Sequence, residues 1–454
     1  MRILTLIFSL ILSFTVLSQP ISFNDAWQRL QRESNKLKAQ NQEVNRAQAE
    51  QEAVSDLNLP SLSLAGSYTH LEQPFEMDIS RLKSAAGAIL PPTIGSRIPS
   101  SIPFTEQDVF RASLKALWPI YTGGKITAAQ SIKAAQVVEK KQSLELAKRE
   151  LFSQLVNRYF SVILTENVVQ TQNQVVAALE KHLHHAKKLE KHGQIARVEK
   201  LNAEVALSNA RVKLGNVTRQ HQMAQIALDR MLSGYDLTPN TPIFMLSDAP
   251  SLPQLNELTL EHHPALSLLQ AKEAQAQGLM SMEKGKYLPK VFLYGNYTLY
   301  EDKSSFSKIE PDWLVGVGVN VPIFSNDGRS GKVAAARSAL MQARYMKAQT
   351  KQDLSLLVDQ TYRQLAQSKE EIKGLNSSLV LAKENVRLRE LAFNQGMSTS
   401  IDLVDAELKL SAVKTQELLA KYHYIQAYGG LMIVSGQLNE FLASAASAEK
   451  HNAS

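Results

Sequence analysis

Two aspartates, Asp402 and Asp405, stand three residues apart where a helical stretch begins, a spacing that lets both carboxylates share one face. A ring of such carboxylates would favour cations and repel anions. Thr399-Ser-Ile-Asp402 also reads as a capping box, which accounts for Asp402 without any ligand, whereas Asp405 has no such local explanation. A second cluster gathers His182, His184, His185 and His192 in one helical run, with His182 and His185 on a shared face. A metal is conceivable there, but Lys181, Lys187, Lys188 and Lys191 oppose a cation, and a solvated helix face is the better reading. His262-His263-Pro264 falls at a helix start and needs no ligand. No phosphate loop, GxGxxG fingerprint, HExxH or GxSxG occurs. The expectation is a protein that is not an enzyme and holds neither cofactor nor resident metal.

The elements that carry these residues follow from composition and pattern. The 454-residue chain has no cysteine, so disulfides, thiol chemistry and a lipidated N-terminal cysteine are all excluded. Its net charge of +7 is spread along helices and interleaved with Glu, without the clustered basic face of a nucleic-acid binder. Residues 1–18 open with Arg2, run apolar from Ile3 to Leu17 and offer Val16-Leu-Ser18 for cleavage, which reads as a secretory signal peptide with the mature chain starting at Gln19. The apolar run is shorter than the ~20 residues of a spanning helix, and no later stretch qualifies. A chain of this kind can cross a membrane only with strands.

The strands are written twice. Trp313, Val315, Val317, Val319 and Val321 alternate with Leu314, Gly316, Gly318 and Asn320, a greasy face backed by a small one. Alone, this suits a sandwich strand as well as a barrel strand. Laying Pro119 on Pro322 places Phe110, Ala112, Leu114, Ala116 and Trp118 on the same apolar positions, with Arg111, Ser113, Lys115 and Leu117 opposite. Charges on the second face suit a watery lumen and would be poor in a core, so Phe110, Leu114, Trp118, Trp313, Val315, Val317, Val319 and Val321 are read as facing lipid. A second pair aligns Pro60–Thr69 with Pro289–Thr298. Each half is therefore helix, strand, loop, strand, long helix, with strands near 60–70, 109–120, 289–300 and 312–323. Residues 71–107, with five prolines, read as a long irregular excursion, and 301–310 as a short charged loop.

From residue 125 to about 192, and from 329 to about 395, proline is absent and Ala, Gln, Leu, Lys and Glu dominate. Each run would span roughly 100 Å as one helix. Gly193 and Gly396 end the runs, and new helices start at once, giving hairpins with tips at 193–197 and 396–400. The returning helices carry two apolar stripes, as in a helix packed between two neighbours in a curved wall; a buried bundle helix is the alternative. The first repeat is placed at 19–232 and the second at 253–440. Between them lies a linker, 233–252, with a further short edge strand at Pro242–Leu246. Residues 441–454 read as a small, polar, disordered tail.

In order, Leu59-Pro60, Pro119-Ile-Tyr-Thr-Gly-Gly-Lys125, His263-Pro-Ala-Leu266, Leu288-Pro289 and Ile401-Asp-Leu-Val-Asp-Ala406 resemble the TolC-like outer-membrane efflux proteins over residues 21–440. Ser34-Asn-Lys-Leu37 departs from the pattern in the first half. The resemblance implies a mostly helical homotrimer. Its four strands per chain would close one shared twelve-stranded barrel in outer-membrane lipid, continued by a coiled-coil tunnel across the periplasm. It implies a periplasmic adaptor and an inner-membrane pump of the RND, ABC or MFS type as partners. The adaptor would dock at Gly193, Gln194, Ala196, Val198, Gly396, Met397, Thr399 and Ile401. Asp402 and Asp405 would ring a periplasmic aperture. Phe393 and Ser398 stand where some members place a tyrosine and an arginine that latch it. The alternative is a periplasmic coiled-coil scaffold without channel activity, which leaves the lipid-patterned strands without purpose. Nothing in the sequence names the cargo.

Overall fold

The computed structural model describes residues 19–103, 105–246, 251–302 and 310–453; the signal-peptide reading of residues 1–18 lies outside them. In chain order the elements are β1 (Gln19–Ile21), α1 (Phe23–Glu33), α2 (Asn35–Ser55), β2 (Ser61–His70), β3 (Glu76–Asp78), α3 (Ser80–Gly87), α4 (Pro92–Gly95), β4 (Ser101–Pro103), β5 (Asp108–Tyr121) and α5 (Lys125–Lys191). Then come α6 (Arg197–Met231), β6 (Leu237–Pro239), α7 (Leu252–His262), α8 (Pro264–Lys284), β7 (Lys290–Glu301) and β8 (Trp313–Asn320). The last three helices are α9 (Arg329–Asn394), α10 (Ser400–Ser435) and α11 (Leu438–Ala453). The mostly helical chain with four longer strands that the sequence implied is what folds. Two compact units result. The first takes in the chain up to Val44, Lys140–Leu269 and everything from Met346; the second is Asn45–Glu139 with Gln270–Tyr345.

The first unit is nucleated by aromatics. Ser22 caps α1 by accepting from the Asp25 N–H at 3.0 Å, and the helix then buries Phe23, Ala26, Trp27 and Leu30 at helical spacing. Phe23 meets Phe152, Tyr159, Phe160 and Phe441 with ring centroids 5.1–5.6 Å apart. The Tyr159 hydroxyl donates to the Ile21 carbonyl at 2.7 Å and accepts from the N–H groups of Asn240 and Thr241 at 3.1 and 3.0 Å. Burial pushes this phenol up to about 12, so it keeps its proton and its donor role. Tyr159→Phe should therefore strand the Thr241 N–H, leave the Asn240 N–H and Ile21 carbonyl only their 3.2 Å bond to each other, and lower stability by about 1–3 kcal/mol, read as a fall in the urea midpoint of the solubilised protein. An unchanged midpoint would show that water replaces the hydroxyl.

Two expectations fail in this unit. The tail is not disordered: α11 runs from Leu438 to Ala453 and buries Phe441 and Ala445 completely against the aromatic cluster. Leu438, Phe441, Leu442, Ala445 and Ala448 recur at helical spacing on one side, a stripe that the surrounding small and polar composition masks. The linker strand is not at Pro242–Leu246. Leu237–Pro239 pairs in parallel with Gln19–Ile21 instead, and Phe244 fills the core.

The second unit is built on one antiparallel sheet, in the order β2-β5-β7-β8. Leu64 pairs with Leu114, Leu114 with Tyr297, and Tyr297 with Trp313, whereas Ser63 pairs with Lys115 and Lys115 with Asn296. One face is thus apolar across all four strands and the other polar. Strands β2 and β8 are the edges, each with one neighbour in the sheet. The glycines of β8 make room: Gly316 and Gly318 lie opposite Tyr294 and Phe292, and a Cβ at either would fall 2.6 or 2.4 Å from the facing ring. The Gly-Gly of the Pro119–Lys125 motif has a similar cause. Gly123, at φ 69°, sits where a Cβ would be 2.4 Å from the Gly285 carbonyl oxygen. Residues 71–107 are more regular than their prolines suggest, because β3 pairs with β4 around α3 and α4.

Candidate functional site at the hairpin tips and on the sheet face

The two long hairpins turn alike. Gly193 and Gly396 both take left-handed backbone, φ 74° and 69°, so the chain can reverse without a Cβ penalty. The Gln194 N–H reaches back to the Leu189 carbonyl, and the Met397 N–H to that of Ala392, both at 2.9 Å. Gly193, Gln194, Ala196, Val198, Gly396, Met397, Thr399 and Ile401 are all exposed. Met397, an apolar side chain, leaves 71% of its surface bare.

Asp402 is fully employed by its own helix. Thr399 accepts from the Asp402 N–H at 3.2 Å while an Asp402 carboxylate oxygen accepts from the Thr399 N–H at 3.0 Å, the reciprocal pair of a capping box. The Thr399 hydroxyl donates to the same oxygen at 2.8 Å and the Ser398 hydroxyl at 3.1 Å. Arg389, on α9, stands 3.6 Å from the other oxygen. The Thr399 N–H, then the two hydroxyls and Arg389, hold the carboxyl below its usual range. Asp405 is exposed on the next part of α10 and has no partner among the described residues. The two aspartates do sit on one helix, but only Asp405 is free for outside work.

Phe393 does not line an opening. It is 2% exposed and packs edge-on against His182, ring centroids 4.6 Å apart, in a cluster with Ala186, Ala203 and Leu403. A side chain so enclosed within one chain cannot border an aqueous passage. His182 is buried too, and its Nε2 shares a 2.5 Å hydrogen bond with the Ser400 hydroxyl. The Ser400 N–H donates to Glu199 at 2.7 Å. The start of α10 is thereby tied to both α5 and α6. Nothing local in the sequence marks Glu199 as a partner of Ser400, because the two are 201 residues apart. The histidine run has no metal-holding group among the described residues, and His184 stays exposed.

The sheet presents the other site. Arg111, Ser113, Lys115, Leu117, Tyr294, Asn296 and Leu314 line one concave face of about 690 Å³. Arg111 is clasped by Glu310 at 2.5 Å and Glu301 at 3.7 Å, a pairing across strands that periodicity alone does not reveal. The opposite face shows Phe110, Leu114 and Trp118 beside Trp313, Val315, Val317 and Val319 by register; Val321 lies just beyond β8. Val315 is 71% exposed. A sheet that bares Val and Trp on one side and half-buries an ion pair on the other is inverted relative to a soluble protein.

The chain matches the family model described as outer membrane efflux protein over residues 26–234 and 255–437. It is 19% identical to the outer membrane efflux protein BepC of Brucella suis over 70% of this chain and 69% of that one. It is 22% identical to the proteases secretion protein PrtF of Dickeya chrysanthemi over 52% of this chain, and the match spans about half of that relative, 49%. Among solved structures, the outer membrane protein VceC of Vibrio cholerae superposes with a TM-score of 0.75 at 14% identity, covering 91% of this chain and 96% of that one. The outer membrane channel MtrE of Neisseria gonorrhoeae gives 0.73 at 14%, covering 91% and 89%. Taken with the duplicated hairpins and the inverted sheet, the match over most of the length shows that this chain belongs to the outer membrane efflux protein family.

Proposed function

We propose that the protein is the outer-membrane channel-tunnel of a tripartite efflux or type I secretion system, a homotrimer whose three sheets close one twelve-stranded barrel. The observation that carries this reading is the four-stranded sheet with two open edges and an apolar outer face. Unpaired edge N–H and C=O groups cost several kcal/mol each in hydrocarbon, so such a sheet must pair with further copies. The helical part then lies in the periplasm, where the exposed tips meet an adaptor that couples the channel to an inner-membrane pump of the RND, ABC or MFS type. The relatives named for efflux and for protease secretion support both cargo classes equally. The purified protein should form a detergent-stable trimer that conducts ions in planar bilayers. Release from membranes by alkali alone, as monomer without conductance, would favour a periplasmic scaffold.

Asp405, tripled by the threefold axis, is the aperture carboxylate in this reading, with Asp402 as its structural neighbour. Asp405→Asn should lower the cation-to-anion permeability ratio roughly two- to fivefold and weaken block by multivalent cations added on the periplasmic side. Adding Asp402→Asn should bring a separate loss of tip order, since that carboxylate caps α10. Unaltered selectivity in the single variant would remove Asp405 from the aperture.

A further inference from the structure

His182 is a buried titratable group with a defect that no structural role requires. Its Nε2 is engaged by Ser400, but its Nδ1 is buried without any hydrogen-bond partner. The neutral Nε2–H tautomer, donating to the Ser400 oxygen, tolerates this at modest cost because it leaves only a lone pair on Nδ1. The imidazolium does not, because it must place an N–H on Nδ1 where nothing accepts it. From this geometry we propose that His182 is an acid-sensitive latch: a proton on buried Nδ1 drives the ring out toward water, which pulls Nε2 from Ser400 and frees the start of α10 from α5 and α6. The proposal deepens the channel reading, on which it rests for the meaning of a freed tip.

The surroundings offer the imidazolium no rescue. His182, His185 and Lys181 of α5, Glu390 and Phe393 of α9, and Glu407 of α10 line one cavity of about 90 Å³. Lys181 holds Glu390 at 2.6 Å, and Glu199 of α6 is committed to the Ser400 N–H. Burial, and then Glu390, raise Glu407 above its usual range, so acid neutralises it early. Burial first, and His185 second, depress His182 below its ordinary 6.5, with Glu199 opposing. The sign follows. A freed histidine binds its proton near 6.5 and the latched one only at lower pH, so the latched state is fully favoured above 6.5. It loses ground as pH falls from there to the latched pKa.

The test follows hydrogen exchange of amides 397–408 in the full-length solubilised protein at pH 7.5 and 5.5, corrected for intrinsic rates, alongside bilayer conductance. The parent and His184→Gln should open more at pH 5.5, by up to about tenfold for one released histidine one unit below its free pKa. His182→Gln and His182→Asn should lose that response. Ser400→Ala, which removes the hydroxyl partner, should exchange faster at both pH values. A parent indifferent to pH, or a pH response kept in both His182 variants, overturns the latch. Conductance without any pH-dependent exchange sinks the latch and leaves the channel intact; a full exchange response without conductance supports the latch and refutes the channel.

Discussion

A chain carrying Val317→Arg should fail to assemble in membranes, whereas Leu314→Arg, three residues away on the same strand, should assemble as well as the parent. Val317 sits mid-strand on the apolar face opposite Leu293 and is largely exposed in the single chain. If that face meets hydrocarbon, an arginine near the bilayer midplane costs about 2–4 kcal/mol per chain, counted three times in a trimer. Leu314 pairs with Asn296 and lines the concave face beside Arg111 and Lys115, where water can solvate a further cation. The heat-resistant oligomer in urea-washed membranes reads both outcomes. Equal assembly of the two variants would mean that the sheet does not lie in lipid, and the opposite ranking would mean that its faces have been assigned backwards.

The contrast works because the period of two was legible in the sequence. Strand residues alternate faces with no freedom to drift, so Trp313 to Val319 and Phe110 to Trp118 declare their sides before any register is known. Register itself was not legible. That Gly316 and Gly318 lie under Tyr294 and Phe292 depends on pairing between strands, and so does the ion pair of Arg111 with Glu301 and Glu310. Helix α11 was missed for a different reason. Only Leu438, Phe441 and Leu442 are large apolar residues among its small and polar neighbours, a weak signal by composition, yet they suffice when an aromatic cluster waits to receive them.

At the tips, local chemistry was readable and long-range chemistry was not. The capping box from Thr399 to Asp402 needs only four residues and was visible in them. Phe393 was misplaced because its enclosure by His182, Ala203 and Leu403 joins residues from three other helices. His182 showed itself only as one of several histidines. Its burial and its bond to Ser400 emerge from two hairpins packing together, which no spacing within one hairpin encodes.

Ala196→Trp should abolish adaptor binding while leaving the trimer intact, the second large effect expected. Ala196 is the N-cap of α6, exposed, and makes no side-chain capping bond, so a bulky replacement removes no interaction that holds the turn. Thr399, its counterpart before α10, is a poorer place to test docking, because its hydroxyl caps the helix and receives Asp402 in return. Val198, Met397 and Ile401 supply exposed apolar surface on the two turns, 54%, 71% and 50% bare. Such residues become anchors when a partner desolvates them, and losing one anchor typically costs 2 kcal/mol or more, about 30-fold in affinity. A tryptophan at Ala196 would hold a partner off several of these contacts at once, in all three chains of a trimer. The measurement is the affinity of the Ala196→Trp trimer for the adaptor that crosslinks to the parent's tips, with active export followed in the same cells. Parental affinity from an intact trimer would move the docking surface away from these turns.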